Sequence, residues 1–156
     1  DPDIASIPVS AFGYNQSAGT VVVEFSKMYP DAAYNRFHAG FGANSGNYVG
    51  VGYSSAQRTY VQPLVGAISV SGASAPSPGG FATVAAGFDA SGATAAVDGQ
   101  SNSATAIGAA PAFSSSDTLY LGSSAYDASQ IASGHIKSLS YFPRRLTDAQ
   151  LQELTS

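Results

Sequence analysis

Gly134-His135-Ile136-Lys137-Ser138-Leu139-Ser140-Tyr141-Phe142-Pro143-Arg144-Arg145-Leu146-Thr147-Asp148-Ala149-Gln150-Leu151 carries two different hydrophobic periods. Gly134 to Phe142 reads as a strand, with Ile136, Leu139 and Tyr141 packing inward. The step of three from Ile136 to Leu139 breaks strict alternation, which predicts a bulge there or burial on both faces. Pro143 ends the strand. From Leu146 the spacing becomes helical. Thr147 can cap, Gln150 three residues on closes a capping box, and Asp148 suits the positive end of the helix dipole. Leu146 and Leu151 stand at the two positions of a hydrophobic staple. A helix of about two turns is marginal alone, so Leu151 and Leu154 are expected to dock it.

Upstream, period-two segments separated by Gly, Ser, Pro and Asn clusters dominate. Thr20 to Met28 places Val21, Val23 and Phe25 on one face. Tyr34 to Ala43 is read with Phe37, Ala39 and Phe41 inward and Tyr34, Arg36 and His38 outward. Asn47 to Ser54 sets Val49, Val51 and Tyr53 against Tyr48, Gly50 and Gly52. Gln57 to Gln62, limited by Pro63, and Gly66 to Val70 are shorter strands, and Ser71 to Gly80 is read as a loop. Phe81 to Phe88 and Ala93 to Val97 form a hairpin around Asp89-Ala90-Ser91-Gly92. Asp98-Gly99 signals a type I′ turn, and Thr118 to Gly122 is a further strand. About ten strands with no helix between them predict an all-β antiparallel jelly-roll sandwich with one short C-terminal helix, as a single domain over 1–156.

The 156 residues allow an ordinary hydrophobic core, and the absence of cysteine rules out disulfides and thiolate metal sites. Only 10% of residues are charged and the net charge is −4, so no electrostatic footprint for nucleic acid is present. No apolar run approaches the roughly 20 residues that span a bilayer, so no membrane insertion is expected. A chain opening on Asp1-Pro2-Asp3 with no visible signal peptide is expected to be a processed product or a piece of a longer protein. The Asn15-Gln16-Ser17 sequon carries no weight without other signs of secretion.

The order Val97-Asp98-Gly99, Leu119-Tyr120-Leu121-Gly122, Gly134 to Tyr141, then Arg145 to Leu151 resembles the C-terminal half of a concanavalin A-like lectin/glucanase domain. More narrowly it resembles the laminin-G-like modules at the C-termini of tailed-phage and prophage virion proteins. Tyr141-Phe142-Pro143-Arg144-Arg145-Leu146-Thr147, and Tyr14 to Thr20 followed by Glu24-Phe25-Ser26, carry that likeness. The resemblance implies a lectin-like module on the virion surface, in a tail fibre, spike or head decoration. Its implied partners are host surface polysaccharide and other virion proteins, with a homo-oligomer such as a trimer as a further expectation.

Glucanases on this fold need paired carboxylates on one face. The chain has two Glu, Glu24 and Glu153, and no Glu-x-Asp-x-x-Glu run, so hydrolysis is not expected and no catalytic residue is assigned. Glu24 reads as a solvated or hydrogen-bonded strand residue. A polysaccharide lyase would need Tyr or His with Arg or Gln, and Tyr14-Asn15-Gln16 echoes an alginate-lyase tripeptide in the wrong order along the chain. His135 reads as structural. Asp89, Asp98, Asp117 and Asp127 fall in turns without clustering, so no metal and no cofactor are expected. Sugar binding asks for ring faces and planar polar groups. Tyr34, Arg36, His38, Tyr48, Arg58 and Tyr60 supply both if neighbouring hairpins pair in sequence. The alternative is a structural oligomerisation or attachment module with no sugar ligand, which low charge also suits.

Overall fold

The computed structural model describes residues 5–27, 36–44, 47–53, 58–65, 70–74, 80–101, 106–123 and 131–156, with the backbone alone for Lys27, Arg36, Ala43, Asn44, Tyr53, 58–65 and 70–74. Eleven strands among these residues form two antiparallel sheets. The six-stranded sheet runs β1 (Ala5–Pro8), β10 (Thr118–Leu121), β3 (Arg36–Asn44), β4 (Asn47–Tyr53), β5 (Arg58–Val65), β6 (Val70–Ser74). The five-stranded sheet runs β11 (Gly134–Phe142), β2 (Ala18–Lys27), β7 (Phe81–Asp89), β8 (Gly92–Val97), β9 (Gln100–Ser101). One helix, α1 (Asp148–Thr155), follows. This is the expected jelly-roll sandwich.

Alternation builds the core. Val21, Val23 and Phe25 of β2, Val84, Ala86 and Phe88 of β7, and Ala93, Ala95 and Val97 of β8 line the inner face of one sheet. They meet Ala39, Phe41, Val49, Val51 and Leu119 of the other. Each fully buried Val or Phe contributes roughly 1.5–3 kcal/mol, so these side chains fix both register and layer. Ile136, Leu139 and Tyr141 pack against this core, and the pairing of β11 with β2 slips between Ile136 and Ser138, which is the expected bulge. Asp98 and Gly99 both adopt positive φ, 49° and 72°, as a type I′ turn requires.

The outer face of the five-stranded sheet carries Ala85 and Ala96, small enough for α1 to lie on them through Leu146 and Leu151. Thr147 Oγ1 accepts the Gln150 N–H at 3.3 Å, and Gln150 Oε1 accepts the Thr147 N–H at 3.0 Å, closing the capping box. Leu154 departs from expectation. It is 40% exposed, and the buried Thr155 docks the last turn instead, its Oγ1 accepting the Gly99 N–H at 3.1 Å.

Three further expectations are corrected. Ser71 to Ser74 were read as part of a loop, yet with Val70 they form the edge strand β6 (Val70–Ser74), because backbone pairing to β5 suffices where side-chain pattern gives no signal. β5 also runs through Pro63. Among the described residues, pairing with β6 reaches only Arg58 to Val61, and Pro63 is paired there only with Val49 of β4, a position at which a missing N–H is tolerated. Ala5–Pro8 and Gln100–Ser101 are strands too short for alternation to announce. The predicted strand over 66–69 and loop over 75–79 lie outside the described residues.

Candidate functional site

Strands β3, β4 and β5 are consecutive neighbours, as the site reading required. On their outer face the sequence places glycine repeatedly. One rung of the ladder runs Ser6, Tyr120, Gly40, Gly50, Gln62, and the next runs Pro8, Thr118, Gly42, Tyr48, Leu64. The missing Cβ atoms are used. Phe37 lies against Gly50 and Tyr48 against Gly42, so closely that an alanine at either glycine would clash. The Phe37 and Tyr48 rings meet edge to face, centroids 6.0 Å apart at 90°. Phe37 is 1% exposed and Tyr48 2%, so these rings form a covered floor. Tyr120, half-buried, stands on the same face across β3.

Tyr48 is thus on the predicted face but buried there, not exposed. His38 is a larger correction. The ladder between β3 and β4 shifts between Phe37 and Ala39, which turns Phe37 outward and His38 into the sandwich. His38 is fully buried, stacked on Phe25 at 3.8 Å, and its Nε2 donates to the Ser26 carbonyl at 3.2 Å. Burial pushes its pKa down to about 3, against a smaller opposing pull from the Ser26 carbonyl, so the imidazole is neutral at ordinary pH. It is a core residue. Tyr60 occupies the position opposite Gly52, in the rung that holds Phe37, and Arg58 the position opposite Ser74. Arg36 is paired with Tyr53, one step out of phase with Phe37. Tyr34 lies outside the described residues.

The structure therefore gathers Phe37, Tyr48, Tyr120 and the Tyr60 position on one glycine-stripped face, leaves His38 out, and sets the Arg36 position one step out of phase. Phe37 and Tyr120 were missed. Gly40, Gly42, Gly50 and Gly52 at alternate positions were the signal for the face itself, whereas nothing local marks the slip at His38.

Other candidates have structural work. Tyr14 sits in a ring cluster with Tyr141, Phe113 and Phe88, and its hydroxyl donates to the Pro111 carbonyl at 2.7 Å. Burial and the neighbouring Tyr141 push its pKa up. Gln16 exchanges two hydrogen bonds with the Phe113 backbone, at 2.6 and 2.7 Å, and Asn15 Nδ2 donates to the Pro143 carbonyl at 2.8 Å. The lyase-like tripeptide is a clamp. Glu24 pairs with Lys137 at 2.7 Å. Asp89 accepts from the Ser91 and Gly92 N–H groups of its own turn, Asp117 accepts from the Ser114 N–H, and Asp127 lies outside the described residues. No group of three or more His, Asp or Glu is placed to hold a metal ion among the described residues.

A family model described as the concanavalin A-like lectin/glucanases superfamily matches residues 16–152. The chain belongs to this superfamily. Solved structures agree on the fold. The Ruminococcus gnavus IT-sialidase CBM40 bound to α2,3-sialyllactose aligns with a TM-score of 0.76 at 15% identity, over 97% of this chain and 92% of that one. The NanB sialidase from Streptococcus pneumoniae aligns at 0.73 and 18% identity over 97% of this chain, which spans only 27% of NanB. The SAP-like pentraxin of Limulus polyphemus, at 0.68 and 12% identity, is covered over 73% of its length. No curated protein sequence matches this superfamily member.

Proposed function

We propose that this domain is a non-catalytic glycan-recognition module that works through the outer face of its six-stranded sheet. The observation that carries the reading is the face itself. Glycines remove the side chains of two neighbouring strands, aromatic rings lie on the sheet, and Tyr120 and the Tyr60 position border them. Phe37 and Tyr48 are themselves buried, so what this face offers a sugar is the half-buried Tyr120 ring and sheet-borne polar groups at the margin of that floor. The likeness to a CBM40 solved with sialyllactose, across nearly the full length of both chains, supports the same reading. The two Glu are separated, one ion-paired on β2 and one on α1, an arrangement unlike paired glycosidase carboxylates.

The setting we propose is the surface of a phage particle, as a module of a larger virion protein. It rests on the likeness of Tyr141 to Thr147 to phage proteins. Glycan-array screening followed by titration with host capsule or lipopolysaccharide tests the function. Saturable binding is expected, weakened about tenfold by Tyr120→Ala or Tyr60→Ala, the scale of one lost contact of about 1.4 kcal/mol. A flat response over both arrays and host polysaccharides would overturn it.

A further inference from the structure

Of the two adjacent arginines in the Pro143-Arg144-Arg145-Leu146 connection, the structure employs one. Arg145 is bound to the β7–β8 hairpin. Arg144 is exposed, and its guanidinium has no hydrogen-bond or ion-pair partner among the described residues. It borders a groove of about 480 Å³ between β11 and α1, on the outer side of the five-stranded sheet, with Phe142, Leu146, Gln150, Glu153 and Leu154. Ligand pockets enclose roughly 300–1,000 Å³. Cavities of about 260 Å³ beside His38 and about 280 Å³ beside Asp89 fall below that range.

The groove's chemistry is mixed in a specific way. Phe142, Leu146 and the exposed Leu154 supply apolar surface. Arg144 supplies donors, Glu153 an acceptor, and Gln150, whose carbonyl is occupied by the capping box, keeps its amide NH₂. Hydroxyl groups both give and take hydrogen bonds, so such a rim suits a polyol. One cation and one anion leave no net charge to favour a carboxylate or phosphate. We infer that this groove is a second saccharide site, taking an uncharged pyranose with its apolar face on Phe142 and Leu154 and its hydroxyls on Arg144, Glu153 and Gln150. It lies on the opposite side of the sandwich from the six-stranded sheet and stands independently of that site.

The test is NMR titration of the ¹⁵N-labelled chain with glucose, galactose and N-acetylglucosamine, separately, into the millimolar range. Saturable shifts are expected at the Arg144, Gln150, Glu153 and Leu154 amides with at least one sugar. Arg144→Ala and Glu153→Gln should each weaken them about tenfold or more, with the remaining spectrum unchanged. Absence of saturable groove shifts with all three sugars overturns the inference, as do shifts confined to Tyr120 and its neighbours, which would leave the first site standing. Shifts that grow with protein concentration alone, and vanish in Leu154→Lys, would identify a contact between copies and overturn it equally.

Discussion

Arg145 holds Asp89 at 2.9 Å, and the same guanidinium donates to Ser91 Oγ, to the Gly92 carbonyl and to Thr94 Oγ1. One side chain from the β11–α1 connection therefore fastens the whole β7–β8 hairpin. The pair is largely but not fully buried, at 18% and 31% exposure, so solvent screening discounts its Coulombic part. Arg145→Ala is expected to cost about 1–3 kcal/mol, mostly from acceptors left unmet. Arg145→Lys should recover little, because one ammonium cannot span four acceptors in a plane. Urea denaturation of both variants checks this.

Asp89 also predicts an acid limb. Burial pushes its carboxyl up, but hydrogen bonds from Ser91 and Arg145 outweigh that and hold it below its ordinary value. A depressed carboxylate stabilises the fold above its unfolded pKa, near 4, and that contribution disappears as pH falls through the folded value. Asp89→Asn should flatten the loss of stability below about pH 4.

His38 acts in a higher window. Its folded pKa is about 3, and an unfolded histidine titrates near 6.5. The unfolded chain therefore takes up a proton first, so stability is full above about pH 6.5 and falls towards pH 3, approaching 1.4 kcal/mol per unit. Between pH 6.5 and 4.5 the carboxylates contribute little. Chemical denaturation across that interval should show the slope in the parent and not in His38→Leu. A parent stability that is flat there would contradict the burial of this ring.

Gly50→Ala and Gly42→Ala are expected to destabilise by about 1–3 kcal/mol, since a Cβ must displace Phe37 or Tyr48 from a close-packed floor. The changed floor should also reduce glycan binding by the six-stranded sheet. Gly108→Ala, at a positive φ of 73° with open space around it, gives strain without a clash and should leave binding intact.

The helix separates two leucines. Leu151, fully buried, should cost about 2–5 kcal/mol on change to Ala. Leu154→Ala should cost well under 1 kcal/mol, and Thr147→Ala about 1 kcal/mol through the lost cap. Thermal unfolding of the three variants ranks them.

The β11–α1 segment was legible because each feature is local. The Ile136 to Leu139 spacing announces the bulge, and Thr147 with Gln150 announces the cap. The core faces of β2 and β4 were legible from alternation alone. Phe37 and His38 were not, since a one-residue slip against β4 exchanges their faces and depends on a partner strand that lies elsewhere in the chain. Exposure of Tyr48 was misread for a similar reason. Alternation assigns a face, but whether other chain covers that face is decided by topology. Val70–Ser74 shows the same limit, a strand made by its neighbour's backbone.

The arrangement of β2 has a consequence for how the molecule is made. This strand is complete only when β11 lies beside it, with Thr20 opposite Phe142 and Lys27 opposite Gly134. Contacts so distant in sequence close late and fold slowly. A ribosome releasing the chain from its N-terminus must therefore leave Val21, Val23 and Phe25 beside a bare backbone edge until the final quarter emerges. That interval is when the nascent protein is most open to pairing with the wrong strand, and a chaperone acting on it would have its best target there.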